Sequence, residues 1–147
     1  MTIPIPEKFH DLFSRPILCG LTTLNPNGQP HSVPVWCDFD GEHVRINMPA
    51  ATKKARNLKR NPKVSLLIID PQSGRHWIEI QGHVGEPIDE AHGAREHINK
   101  LSRNTRATRS TSRMAPAAST GRCISSRRLR STGIRSGIAL TRMRRNR

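Results

Sequence analysis

From residue 103 to residue 147 the chain has no aspartate, glutamate, lysine, phenylalanine, tryptophan or tyrosine. What stands there instead is 13 arginines and 13 serines and threonines, with no sustained hydrophobic period. Such a segment buries too little apolar surface to offset the entropy of ordering, which predicts an irregular tail. Cysteine is scarce as well. Cys19, Cys37 and Cys123 are odd in number and widely spaced, which fits neither a disulfide framework nor a zinc motif. They read as free thiols of a reducing compartment, the cytoplasm. No apolar run approaches membrane-spanning length, so no membrane association is expected. The start, M-T-I-P-I-P, lacks the basic n-region and apolar h-region of a secretory leader.

The formal net charge of +14 suggests a nucleic-acid binder, but its distribution removes that reading for most of the chain. Residues 1–102 carry 12 Lys and Arg against 11 Asp and Glu. The excess lies in residues 103–147. Two parts follow: a near-neutral domain over 1–102 and an arginine-rich tail over 103–147. Any nucleic-acid affinity is expected to be non-specific and to come from the tail. About 100 residues are enough for a modest core.

Asn47 to Pro62, N-M-P-A-A-T-K-K-A-R-N-L-K-R-N-P, organises the domain. Glu42 to Asn47 reads as a strand that Pro49 stops, since proline lacks a ladder N–H. Thr52 is placed to cap a short helix over Lys53 to Arg60, with Ala55 and Leu58 on one face. Lys53 and Lys54 fall in its first turn, where the helix dipole is already positive. Free N–H groups and added lysines make a phosphate site there. A solvated basic helix explains the same residues equally well.

The rest of the domain alternates strand and turn signals. Pro6 to Ser14 predicts an amphipathic helix with Phe9, Leu12 and Phe13 inward. Ile17 to Leu24 is a strand, and Asn25 to Gly28 is a tight turn. Gln29 to Phe39 is a second strand that Pro30 and Pro34 make irregular or place at an edge. Asp40-Gly41 signals a hairpin. Lys63 to Asp70 is the most hydrophobic run and the expected central strand, with Val64 to Ile69 buried. Arg75 to Gly85 alternates, with Trp77, Glu79 and Gln81 opposite Ile78 and Ile80. Asp89 to Leu101 predicts a helix with Ala91, Ala94, Ile98 and Leu101 on one face. Hairpins interrupted by short helices suggest a small antiparallel barrel, mainly β.

Catalytic signals are few. His76 and His83 are seven apart, His92 and His97 five apart, and no third ligand joins either pair, so no metal is expected. Glu79 and Gln81 beside Trp77 read first as the wet side of a sheet. A phosphate anchor without an acid, base or nucleophile suits a protein that holds a cofactor and lets it do the chemistry.

Four stretches in this order resemble the pyridoxamine 5'-phosphate oxidase-like split-barrel family, and within it the coenzyme F-420-dependent branch. They are L-T-T-L-N-P-N-G-Q-P-H-S-V-P-V-W (Leu21 to Trp36), D-G-E-H-V-R-I-N-M-P-A (Asp40 to Ala50), K-K-A-R-N-L-K-R-N-P-K-V-S-L-L-I-I-D-P (Lys53 to Pro71) and W-I-E-I-Q-G (Trp77 to Gly82). The resemblance spans about Phe9 to Leu101 and implies a split β-barrel of the FMN-binding type. It implies a homodimer with the cofactor, coenzyme F-420 (a deazaflavin) or FMN, across the interface. It implies hydride transfer to or from a small organic substrate. Lys53 and Lys54, assisted by Asn57, would hold the cofactor phosphate. Val33, Pro34, Val35 and Trp36 would line the ring, with Asn47 and Met48 near it and Trp77 closing the site. Met48 stands where the family often has a hydroxyl, and Ala51 where glycine is common. A carrier that binds the cofactor without turnover is the alternative from another class.

The family continues after the Leu101 region with further strands, and the tail composition predicts that this chain has lost them, leaving a barrel truncated at its C-terminal strands. A reading-frame shift near Asn104 accounts for this. One added base at codon 104 lets Asn104 to Thr111 be re-read as K-Y-T-G-H-A-E-Y, and Cys123 to Gly133 as close to V-Y-K-L-E-P-T-K-V-H-G. The competing expectation is a genuine arginine-rich arm that binds nucleic acid.

Overall fold

The structure is a computed structural model that describes residues 3–88, 92–107 and 124–137. A 3-10 turn (Glu7–Phe9) and helix α1 (Asp11–Ser14) lead into strands β1 (Cys19–Leu24), β2 (Pro30–Val35), β3 (Cys37–Phe39) and β4 (Val44–Pro49). Helix α2 (Lys53–Arg60), strands β5 (Lys63–Ile69) and β6 (Trp77–Val84), helix α3 (Ala94–Ala107) and strand β7 (Ile124–Gly137) follow. All seven strands join one sheet in the order β2-β1-β5-β6-β7-β4-β3, every pairing antiparallel.

The two edges of that sheet, β2 and β3, are consecutive in sequence and separated only by Trp36. A sheet whose ends are joined by one residue must curl on itself, which is the split barrel. Its closure is marked by Cys19 Sγ of β1 and Cys37 Sγ of β3, 2.8 Å apart as free thiols. Cys123 lies outside the described residues.

Alternation puts Cys19, Leu21, Val64, Leu66, Ile68, Ile78 and Ile80 inside. Val44, Ile46, Met48 and Leu129 join them, and Phe9, Leu12 and Phe13 close one end. Each such side chain contributes about 1.5–3 kcal/mol by leaving water. The turn after β1 is held by Gly28 N–H donating to Asn25 O (2.9 Å), with Gly28 at φ 80°. The β3–β4 hairpin turns at Gly41, φ 100°, while Asp40 Oδ1 accepts from the N–H groups of Glu42 and His43.

Several expectations are corrected. Pro49 does not stop β4 before itself; it is the last residue of the ladder, opposite Ile124. Strand β5 is not buried throughout, because its outer face leaves Leu67 and Ile69 exposed. The N-terminal helix is broken at His10 into a 3-10 turn and one α-turn. Helix α3 begins at Ala94, later than expected, and runs past 102 to Ala107, while Asp89 and Ala91 lie outside the described residues.

The largest correction is β7. Residues 124–137, expected to be irregular, form a strand paired with β6 on one side and β4 on the other. A strand inserted between two others gains both ladders from its backbone, whatever its side chains. Of its described side chains, Leu129, 2 % exposed, and Ile134 meet the core. Residues 108–123 and 138–147 of the tail lie outside the described residues.

Candidate functional site

The start of α2 is built locally. Thr52 is extended (φ −75°, ψ 157°), and its Oγ1 accepts from Ala55 N–H at 3.4 Å. The same hydroxyl donates to Pro49 O at 2.8 Å, tying the cap to the end of β4. Arg56 N–H donates to Thr52 O. The N–H groups of Lys53 and Lys54 come before the first intrahelical bonds, so they have no acceptor within the helix. No acidic residue stands in this turn. Lys53 is exposed and Lys54 half-buried. Burial lowers the Lys54 ammonium from its ordinary value, and no carboxylate among the described residues offsets that.

Other expected site residues are deeper. Asn57 is 2 % exposed, and its Nδ2 donates to Thr23 Oγ1 (3.1 Å) and Asn25 Oδ1 (3.2 Å). Its Oδ1 accepts from Arg60. The amide thus fixes α2 to β1 and the following turn, and presents no surface to a phosphate. Met48 is a core residue, 1 % exposed. Asn47 is buried and donates from Nδ2 to Ala94 O (2.9 Å), while its Oδ1 has no partner among the described residues.

The expected ring-lining stretch divides between faces. Val33 and Val35 point inward, and β2 approaches β4, the strand of Asn47 and Met48, across the barrel. Pro34 points outward, in a row with Gly20 of β1 and Leu67 of β5. Trp36 sits at the corner between β2 and β3, half-buried. Trp77 starts β6 opposite Ile69. The structure therefore brings together β2, β4 and the Trp36 corner, with the α2 N-terminus at the end of β4 and Trp77 on the outer sheet face.

One cluster escaped the sequence reading. Asp38, 5 % exposed, accepts from Arg45 Nε (3.0 Å) and Nη2 (2.7 Å) and from Lys100 Nζ (3.2 Å). His97 Nε2 lies 3.0 Å from Asp38 Oδ1, the oxygen that also accepts from Arg45 Nε. Burial by itself would raise the Asp38 carboxyl, but hydrogen bonds and charge from His97 and Arg45 outweigh it and hold it well below its ordinary range. The available signal was the i, i+3 spacing of His97 and Lys100, which puts both on one face of α3. Nothing local pointed to Asp38, 59 residues earlier.

A curled antiparallel sheet closed at one residue, with a lysine-bearing helix N-terminus at the end of β4, is a split barrel. The family model of pyridoxamine 5'-phosphate oxidase matches residues 5–120, and the chain belongs to that family. Among solved structures it is similar to an F-420 reductase: 29% identity, TM-score 0.70, covering 89% of this chain and 98% of that one. A conserved hypothetical protein from Mycobacterium tuberculosis shares the fold at 21% identity and TM-score 0.64, over 92% of this chain and 86% of that one. So does HutZ, the heme storage protein from Vibrio cholerae, at 14% identity and TM-score 0.63, over 92% and 96%. None of the curated proteins matches. No helix among the described residues is long and apolar enough to cross a membrane.

Proposed function

We propose that the chain is a cytoplasmic flavin- or deazaflavin-dependent oxidoreductase, and that coenzyme F-420 or FMN is its cofactor. The observation that carries this is Lys54: a half-buried ammonium without a carboxylate partner among the described residues, in the first turn of a capped eight-residue helix. Desolvating a cation is unfavourable unless an anion compensates it, and a phosphate does so while accepting from the free N–H groups. Lys53 adds a second, exposed charge. The orphaned Asn47 Oδ1 is a buried acceptor suited to a ring N–H. The bound cofactor would supply hydride acceptance or donation at its ring. The chain's own contribution is to hold the phosphate with Lys53 and Lys54 and to shape the ring pocket with Val33, Val35 and Trp36.

The outer face of the sheet completes the proposal. Leu67 is 38% and Ile69 43% exposed, and Leu18, just before β1, is 61% exposed. With Pro34 and Trp77 they form an apolar face suited to a second copy of the chain. We assign the homodimer contact to it.

Titration of FMN and of the deazaflavin coenzyme into wild type, Lys54→Ala and Lys59→Ala tests the reading. Lys54→Ala is expected to weaken binding about ten- to hundredfold, the worth of a charge-assisted phosphate contact. Lys59 lies in the last turn, where a cation already suits the dipole, and its loss should change little. Failure of the wild type to bind either cofactor would remove the proposal.

A further inference from the structure

Between α3 and the β4–β7 ladder lies a cavity of about 460 Å³, lined by Arg45, Lys100, Arg103 and Arg128, with Glu96 as its only lining carboxylate among the described residues. Its basic character follows from the register. Asp38, Arg45 and Arg128 face one another in a row across β3, β4 and β7. Asp38 is engaged by Arg45, Lys100 and His97, all three of which line the cavity. Arg45 and Arg128 are direct cross-strand partners, and like charges so placed repel. Arg103 and Arg128 make no ion pair among the described residues. The fold therefore holds two guanidinium groups beside an already saturated carboxylate, in a concavity rather than on an open surface.

We propose that this cavity is an anion site for a small phosphorylated molecule, separate from the α2 N-terminus. Three arginines and a lysine favour a multiply charged anion such as phosphate or diphosphate, whose several oxygens can accept from more than one guanidinium at once. Arg45 uses Nε and Nη2 on Asp38, which leaves Nη1 without a hydrogen bond among the described residues. The volume falls within the range of small-ligand sites and suits a phosphate or diphosphate head with a modest organic body. An anion there relieves the Arg45–Arg128 repulsion, so binding and fold stability are linked. No residue is shared with the Lys54 site, and the inference does not depend on the cofactor reading.

The test uses inorganic pyrophosphate as the probe on the full chain, by calorimetric titration and thermal melting. Wild type should bind and melt higher with pyrophosphate. Arg103→Gln and Arg128→Gln, both at exposed side chains, should each weaken binding about tenfold or more. Without the anion, Arg128→Gln should melt at or above wild type, since it removes a like-charge pair. Lys54→Ala should bind pyrophosphate as wild type does. Loss of binding in Lys54→Ala would place the anion at the α2 site and overturn the proposal. So would undiminished binding in both arginine variants, absence of wild-type binding, or displacement of pyrophosphate by a single-stranded oligonucleotide that Arg128→Gln binds as well as wild type does.

Discussion

Asn57 Nδ2 donates to Thr23 Oγ1 across 3.1 Å in the interior, so the helix that carries the two lysines is anchored to β1 through an amide. Asn57→Ala should therefore act on stability. It removes that bond and the one to Asn25, leaving the Thr23 hydroxyl without its donor, for a loss of about 1–3 kcal/mol. Urea denaturation measures it. A variant with unchanged stability but weakened phosphate affinity would return Asn57 to the ligand.

Asp38 should impose an acid limit. Its carboxyl titrates below the ordinary range in the folded state, so the unfolded chain binds the proton first as pH falls. The stabilisation is full above the unfolded value of about 3.9 and declines as pH drops through and below it. Asp11, held by His76 and Arg15, and Asp70, held by Arg15, shift in the same direction and should leave a residual slope. Asp38→Asn should flatten the acid limb of a pH–stability curve. At neutral pH it should cost up to about 3–5 kcal/mol, since Arg45 and His97 lose their anion. An identical acid limb in the variant would contradict the assignment.

Leu129 tests whether β7 belongs to the core. Leu129→Ala should destabilise by about 2–5 kcal/mol, as expected for a leucine 2 % exposed. An irregular tail predicts no effect at all. Resequencing codon 104 addresses the origin of the segment separately: a missing base supports the frame shift, and an intact frame makes the arginine-rich strand native.

Ile69→Lys should shift the chain from dimer to monomer in light scattering without unfolding it, because Ile69 lies on the exposed face, opposite Trp77. A monomeric wild type would remove the proposed homodimer, and a dimer that survives the substitution would move the contact elsewhere.

What the sequence by itself determined is what a few neighbouring residues decide. Thr52 caps α2 because its hydroxyl reaches an N–H three residues on. Gly28 turns the chain because it alone in Asn25–Gly28 takes positive φ without strain. Ile78 and Ile80 face inward because a strand alternates. The tertiary structure decided the rest. Leu129 and Ile134 are five apart, so regular alternation would place them on opposite faces. Thr132 is an extra residue in β7 between the partners of Gln81 and Gly82, and this bulge turns Ile134 back to the core. No periodicity could reveal such a strand, since its support is the backbone of β6 and β4. The same holds for Asn57, whose type suits a ligand or a core amide equally until Thr23, 34 residues earlier, arrives beside it. Asp38 with His97, and Arg45 with Arg128, are likewise brought together by the sheet's closure and register, because only the folded barrel makes residues so distant in sequence adjacent.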